Sequence, residues 1–409
     1  MFVRVPPELV ARGVAPYPDY LDWVNGCGTL DKVRIEGRFY SDKPMVPAVL
    51  LAGAYRALVA VGLPRPGERP DVYCRVAAVL TCGLSYAVAV WCMWVLGRRA
   101  GLGAGWRFVW LLGFALATVL PAYTRQVNAG MPQLAAVAAL AVLLSRAAEA
   151  TGRRRLALLL GAGCCAGFGY TADLGSGPPL LAVAALAVAV RTRRVGPLAA
   201  FLLGALPWVV ANHALTYAVG RVWVPLGMVP EYLTWPGSPF DRSNMTGVAR
   251  HTAESFAVNA ASLVLIFLTS NLPLFLAVGF GWLALARRGP DRVEQAALAA
   301  WCVGVWLVYA LLSDNAGGGC MSVRWFVPLL VPGFWLLAKL LAERATFRAD
   351  FAVLAAGGLL LAYRMWHLGP WLSGPVAGQT AIVAGTLGAW AGVRALALWW
   401  RYRSCRWRG

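Results

Sequence analysis

Early in the chain, Asp42, Lys43 and Pro44 stand directly before an apolar run. A carboxylate and an ammonium side by side at a membrane boundary can do two jobs. The ammonium can neutralise a phosphate, while the acid holds a sugar hydroxyl or a divalent metal. The same pair also fits a solvated loop whose lysine anchors the next segment at the interface. A second group is Asp314-Asn-Ala-Gly-Gly-Gly-Cys320-Met-Ser-Val-Arg324. Glycine-exposed amides beside a guanidinium suit a phosphate or pyrophosphate. A tight interhelical turn with a snorkelling arginine suits the same residues. Asp173, in YTADLGSGPP, follows an apolar run and is expected to pair with an arginine of a neighbouring helix.

These residues must be positioned by membrane helices. Of 409 residues, 59% are hydrophobic and 13% charged, and mean hydropathy is +0.62. Soluble domains are roughly a quarter charged. Lipid offers the backbone no partner, so apolar runs near twenty residues must be helices, and no alternating pattern suggests a barrel. The reading is all-α, with runs at 76–97, 106–122, 131–147, 156–172, 178–190, 197–216, 259–286, 295–313, 325–342, 349–365 and 379–400. That gives about eleven spans. The stretch 45–63 holds Arg56, Pro44 borders it and Pro47 interrupts it, which suits a re-entrant or interfacial segment better than a span.

The net charge of +19 lies in short clusters between apolar runs. Topology explains that charge without nucleic acid. Alternate connections, from Arg98-Arg99 to the tail, hold 20 basic residues against 6 on the opposite side. By the positive-inside rule the richer side, with the C-terminus, is cytoplasmic in a multi-pass cell-membrane protein. The expected division is an extracytoplasmic region 1–75, a helical domain 76–400 with an outer loop 217–258, and a basic tail 401–409. Residues 1–44 read as mixed and loop-like. Five of nine cysteines lie in apolar runs and show no zinc spacing. Cys27 and Cys320, both placed outside, are a candidate disulfide. His213, His251 and His367 are isolated, and Arg394 is expected to snorkel or pair.

The string GRFYSDKPMVPAVLLAGAYRAL resembles the end of the first extracytoplasmic loop of GT-C class glycosyltransferases. This class includes the protein O-mannosyltransferase-like family and the lipid A aminoarabinose transferase. LGRRAGLGAGWRFVWLLGFALATVLPAYTRQVNAGMPQLAAVAAL, LTWPGSPFD and DNAGGGCMSVRWFVPLLVP follow in family order over most of the chain. The resemblance implies transfer of a sugar from a polyprenyl-phosphate donor to a glycan, lipid or protein acceptor on the outer face. It implies acid and carrier-phosphate roles for Asp42 and Lys43. Arg324 becomes a second phosphate ligand, and Tyr40, Asp173 and Asp314 candidates for the substrate loop. A divalent metal is compatible with the acid, and no further cofactor is implied.

Two departures stand out. Met45 replaces the motif's second proline, and MFVRVPPELVARG resembles the stretch just after the family's catalytic Asp. On this reading the family's first helix and base precede the chain, and Asp31 is a candidate substitute base. A non-catalytic homologue and a transporter are the alternatives. A transporter should show acids or broken helices at the membrane midplane.

Overall fold

The structure is a computed structural model that describes residues 32–65, 68–235, 238, 251–287, 289–313, 320–370 and 375–406. It opens with a hairpin of β1 (Lys32–Ile35) and β2 (Arg38–Ser41), followed by helix α1 (Met45–Ala60). α2 (Pro70–Ala78) passes through a π-helical turn, Val79–Gly83, into α3 (Leu84–Arg99). The bundle continues with α4 (Ala104–Leu116), α5 (Leu120–Tyr123), α6 (Gly130–Glu149), α7 (Gly152–Ala172), α8 (Gly177–Thr192) and α9 (Val195–Gly220). After the short α10 (Pro230–Leu233) come α11 (Ala253–Ser270), α12 (Leu274–Ala286), α13 (Arg292–Leu312), α14 (Leu330–Glu343), α15 (Arg348–Leu368) and α16 (Gln379–Arg406).

Nine described helices are long and apolar enough to cross a membrane, so the chain is an all-α polytopic membrane protein. Two of the expected passes, 106–122 and 178–190, instead form the shorter helices α4 and α8. The run 259–286 is not one helix. It breaks at Asn271-Leu272-Pro273, as 106–122 breaks after Leu116. Composition favours helix throughout both runs, but Pro273 has no N–H to donate. The two breaks satisfy each other. Asn271, fully buried, accepts from the Val119 N–H at 3.0 Å through Oδ1 and donates to the Phe267 carbonyl at 2.9 Å.

α7 and α9 run parallel and very close, because small residues face one another. A Cβ on Gly167 would lie 2.7 Å from the Ala205 carbonyl oxygen, and one on Gly204 2.9 Å from the Leu160 carbonyl carbon. In lipid, where apolar burial gives helices no reason to associate, such backbone approach is what gains dispersion contact. At one end of the bundle lie Arg98, Arg99, Arg146, Arg153 to Arg155 and Arg191, hereafter the basic end. There Arg99 contacts Glu149 at 2.7 Å, and Ser145 donates to Asp291 at 2.7 Å, tying α3 and α6 to the start of α13. Arg394 pairs with Asp350, which is 1% exposed, at 2.6 Å, and Trp390 Nε1 donates to the same carboxylate. Pairing, not snorkelling, is thus its role.

Candidate active site

The end opposite the basic residues is built by the last turns of α7 and α9 and by the segments beyond them. Asp173 follows α7. Its Oδ1 accepts from the N–H groups of Gly175 and Ser176 at 3.0 and 2.8 Å, and from Ser176 Oγ at 2.9 Å. It also accepts the Tyr309 hydroxyl of α13 at 2.6 Å. The expected arginine partner is therefore replaced. The loop curls back on the carboxylate and presents donors at the start of α8, which leaves a tyrosine to complete the set. Gly175 is required there, since a Cβ would meet the Tyr309 oxygen at 2.6 Å.

The Tyr309 ring stacks on Trp325, with centroids 4.2 Å apart and planes 7° from parallel. The half-buried Arg324 guanidinium lies 5.7 Å from the Trp325 ring. Tyr123 Oη donates to the Met321 carbonyl at 2.8 Å, and Met321 N–H donates to the Pro370 carbonyl at 2.8 Å, so the approach to Arg324 is pinned on two sides. Burial holds the Tyr123 hydroxyl well above the usual phenol range, and it remains a donor at neutral pH. The sequence does not mark Tyr309 and Trp325 as site residues. Each is one aromatic at the end of an apolar run, which in sequence resembles an interfacial belt.

The second group rests on the hairpin, which corrects the loop-like reading over residues 32–41. β1 and β2 pair antiparallel, with Lys32 opposite Ser41 and Val33 opposite Tyr40, around a turn at Glu36-Gly37 with positive φ at both residues. A two-residue turn of that hand matches the twist of the strands, but Glu36 gave no warning of it because Asn or Asp is its usual occupant. Val33 and Ile35 bury against Leu226 and Leu233, with Tyr40 packed alongside. Lys32, 1% exposed, sits between the rings of Phe39 and Trp235 at 4.6 and 5.1 Å.

This small core delivers Asp42 and Lys43 to the mouth of α1, where Lys43 Nζ meets Asp42 Oδ2 at 2.9 Å. Asp42 also lies against the Gly227 turn, where an added Cβ would come 3.2 Å from its carbonyl oxygen. α1 packs on α7 and α9, and its Tyr55 meets Tyr73, at the start of the helix leading to Arg99, at 5.7 Å.

Because α7 and α9 are parallel, both groups belong to one end of the bundle. The described contacts join Asp173 to Arg324 through Tyr309 and Trp325, and they join Asp42 to Lys43. Asp31, Asp314 and Cys27 lie outside the described residues. Among the described residues no three His, Cys, Asp or Glu side chains converge as a metal site. His213 instead ties Tyr170 Oη, at 2.7 Å, to the Trp223 carbonyl, at 2.9 Å.

No protein-family model and no curated protein matches the chain. Among solved structures it is similar to ArnT from Cupriavidus metallidurans, a GT-C glycosyltransferase solved bound to undecaprenyl phosphate. Sequence identity is 14% and the TM-score 0.50, over 96% of this chain and 72% of that one. At this identity the likeness speaks for the fold: the helices that carry both groups follow a GT-C-like arrangement.

Proposed function

We propose that the chain is a glycosyltransferase that takes a sugar from a polyprenyl-phosphate donor and passes it to an acceptor at the end opposite the basic residues. That end is extracytoplasmic by charge distribution, which puts the C-terminus in the cytoplasm of an inner-membrane protein. The observation that carries the reading is the GT-C-like fold, with an acid-Lys-Pro stretch and an Arg-bearing segment both at that end.

The chemistry asks for two things. As the bond from the sugar's anomeric carbon to the carrier phosphate breaks, the phosphate leaves with the electron pair, and cations must receive its charge. Lys43 and Arg324 are the cations proposed, and a guanidinium grips phosphate through paired donors. As the new bond forms, the acceptor hydroxyl must lose its proton. Asp42 is the described carboxylate proposed as base, with Asp31 the other candidate. A positioned base contributes about 10²–10⁴-fold. Tyr40 and Asp173 shape the sugar side, with Asp173 fixed by its four donors, and Asp314, ten residues before Arg324 in sequence, is a further candidate. The acceptor is a glycan, lipid or protein.

A transporter would use broken helices as a binding site. Here the buried break is closed by Asn271, whose side-chain oxygen and nitrogen are already engaged with the Val119 N–H and the Phe267 carbonyl.

The test is undecaprenyl-phosphate binding by native mass spectrometry, together with sugar release from a labelled polyprenyl-phosphate donor. Lys43→Ala and Arg324→Ala should each weaken lipid-phosphate binding about tenfold or more. Asp42→Asn should retain binding and lose turnover. Undiminished binding in both cation variants would end this assignment.

A further inference from the structure

At the basic end, away from the proposed transfer site, a cavity of about 280 Å³ opens between α6, α7, α8 and α13. Arg155 in the first turn of α7, Arg191 in the last turn of α8 and Glu294 in the first turn of α13 line it, with Leu144, Leu159 and Val188 among its apolar walls. Glu294 is 3% exposed. Its Oε1 lies 3.7 Å from Arg191 Nε, and its Oε2 has no hydrogen-bond partner. A buried carboxylate oxygen normally meets a donor, so this one marks a place for a group the protein does not supply. Arg155 spends its Nε on the Ala150 carbonyl at 2.6 Å and keeps its two terminal nitrogens.

We propose that this cavity seats the headgroup of an anionic glycerophospholipid, with its phosphodiester between Arg155 and Arg191 and a headgroup hydroxyl donating to Glu294 Oε2. Three observations converge on that occupant. Two guanidiniums and one carboxylate leave a single surplus positive charge, which matches one phosphodiester. The orphaned oxygen requires a donor beyond the phosphate, which a glycerol headgroup carries and a bare phosphate monoester does not present in the same place. All three charged residues sit in terminal helix turns, the level at which lipid headgroups lie, and the apolar walls receive the upper part of an acyl chain. Basic pockets between membrane helices take lipid headgroups by this combination. The inference does not rest on the transfer reaction.

The experiment measures lipid retention by native mass spectrometry, and thermal stabilisation, on the full chain in a non-ionic detergent. The probes are phosphatidylglycerol, phosphatidic acid, phosphatidylcholine and soluble glycerol phosphate. Phosphatidylglycerol should bind best and raise the melting temperature, while phosphatidylcholine and glycerol phosphate should not. Arg155→Gln should weaken phosphatidylglycerol binding about tenfold, since a charge-assisted pair is lost, whereas Arg153→Gln, an exposed neighbour, leaves it unchanged. Glu294→Met should erase the preference for phosphatidylglycerol over phosphatidic acid without abolishing anion binding. Three outcomes would overturn the proposal: equal binding of phosphatidylglycerol and phosphatidylcholine, equal binding of glycerol phosphate, or identical behaviour of the two arginine variants.

Discussion

The crossing of α7 and α9 sets both groups at the candidate site, and one methyl group can test it. In Gly163→Ala the new Cβ would fall on the Phe201 carbonyl, 2.8 Å from its carbon and 3.1 Å from the Ala205 nitrogen. Every atom it meets is backbone, so no side chain can swing aside. Carbon atoms sit best at about 3.5–4.0 Å, so the helices must part by roughly 1 Å, and a gap of that size forfeits about a quarter to a half of each dispersion well along the seam. Overpacking of this kind typically costs about 1–3 kcal/mol, against which alanine regains at most about 1 kcal/mol of helix propensity. A net loss of about 1–2 kcal/mol is expected, with weaker undecaprenyl-phosphate binding because Asp173 and the hairpin's supporting segment hang from the far ends of this pair. Gly279→Ala in α12 is the control, since its Cβ would meet nothing within 4 Å. Both variants would be unfolded by denaturant in the same detergent. Stabilities within about 0.5 kcal/mol of each other would refute the reasoning, because the surface-like cost would then apply at both sites.

Between α15 and α16, Asp350→Ala should cost about 3 kcal/mol in the same denaturation assay, because Arg394 would remain in a largely buried setting without its carboxylate. Tyr309→Phe should cost about 1 kcal/mol, since Asp173 keeps three donors. Asp173→Ala should cost more, because it strands the Gly175 and Ser176 N–H groups together. A cysteine placed at 191–196 in a cysteine-free background should resist an impermeant thiol reagent applied outside intact cells, while one at the exposed Trp223 should react. Reaction at 191–196 would reverse the assigned orientation.

Composition alone determined that this chain is helical and membrane-embedded. Lipid leaves an apolar backbone only one way to satisfy its hydrogen bonds over a single segment, and that demand is local, so it can be read residue by residue. Orientation was equally legible as an expectation, because arginines at connections act singly on the charge asymmetry. The acid-Lys-Pro stretch was visible for a different reason: three adjacent residues carry their own chemistry at a recognisable boundary.

Tertiary structure decided what those residues meet. Asn271 looks like one polar residue in an apolar run until the chain brings Val119 to it from 152 positions away. Asp173 invited an arginine and received Tyr309, 136 positions away, since the loop after α7 turns its own N–H groups onto the carboxylate and leaves one site facing α13. The hairpin was hidden because its burial comes from Leu226 and Leu233, not from its own alternation. In sequence Glu294 is one acid just before the apolar run 295–313, and its orphaned oxygen exists because α6, α7 and α8 close around it. Propensity and hydropathy act over a few neighbouring residues. Partner choice for a buried polar group depends on which distant helix arrives beside it, and packing settles that only when the whole bundle has formed.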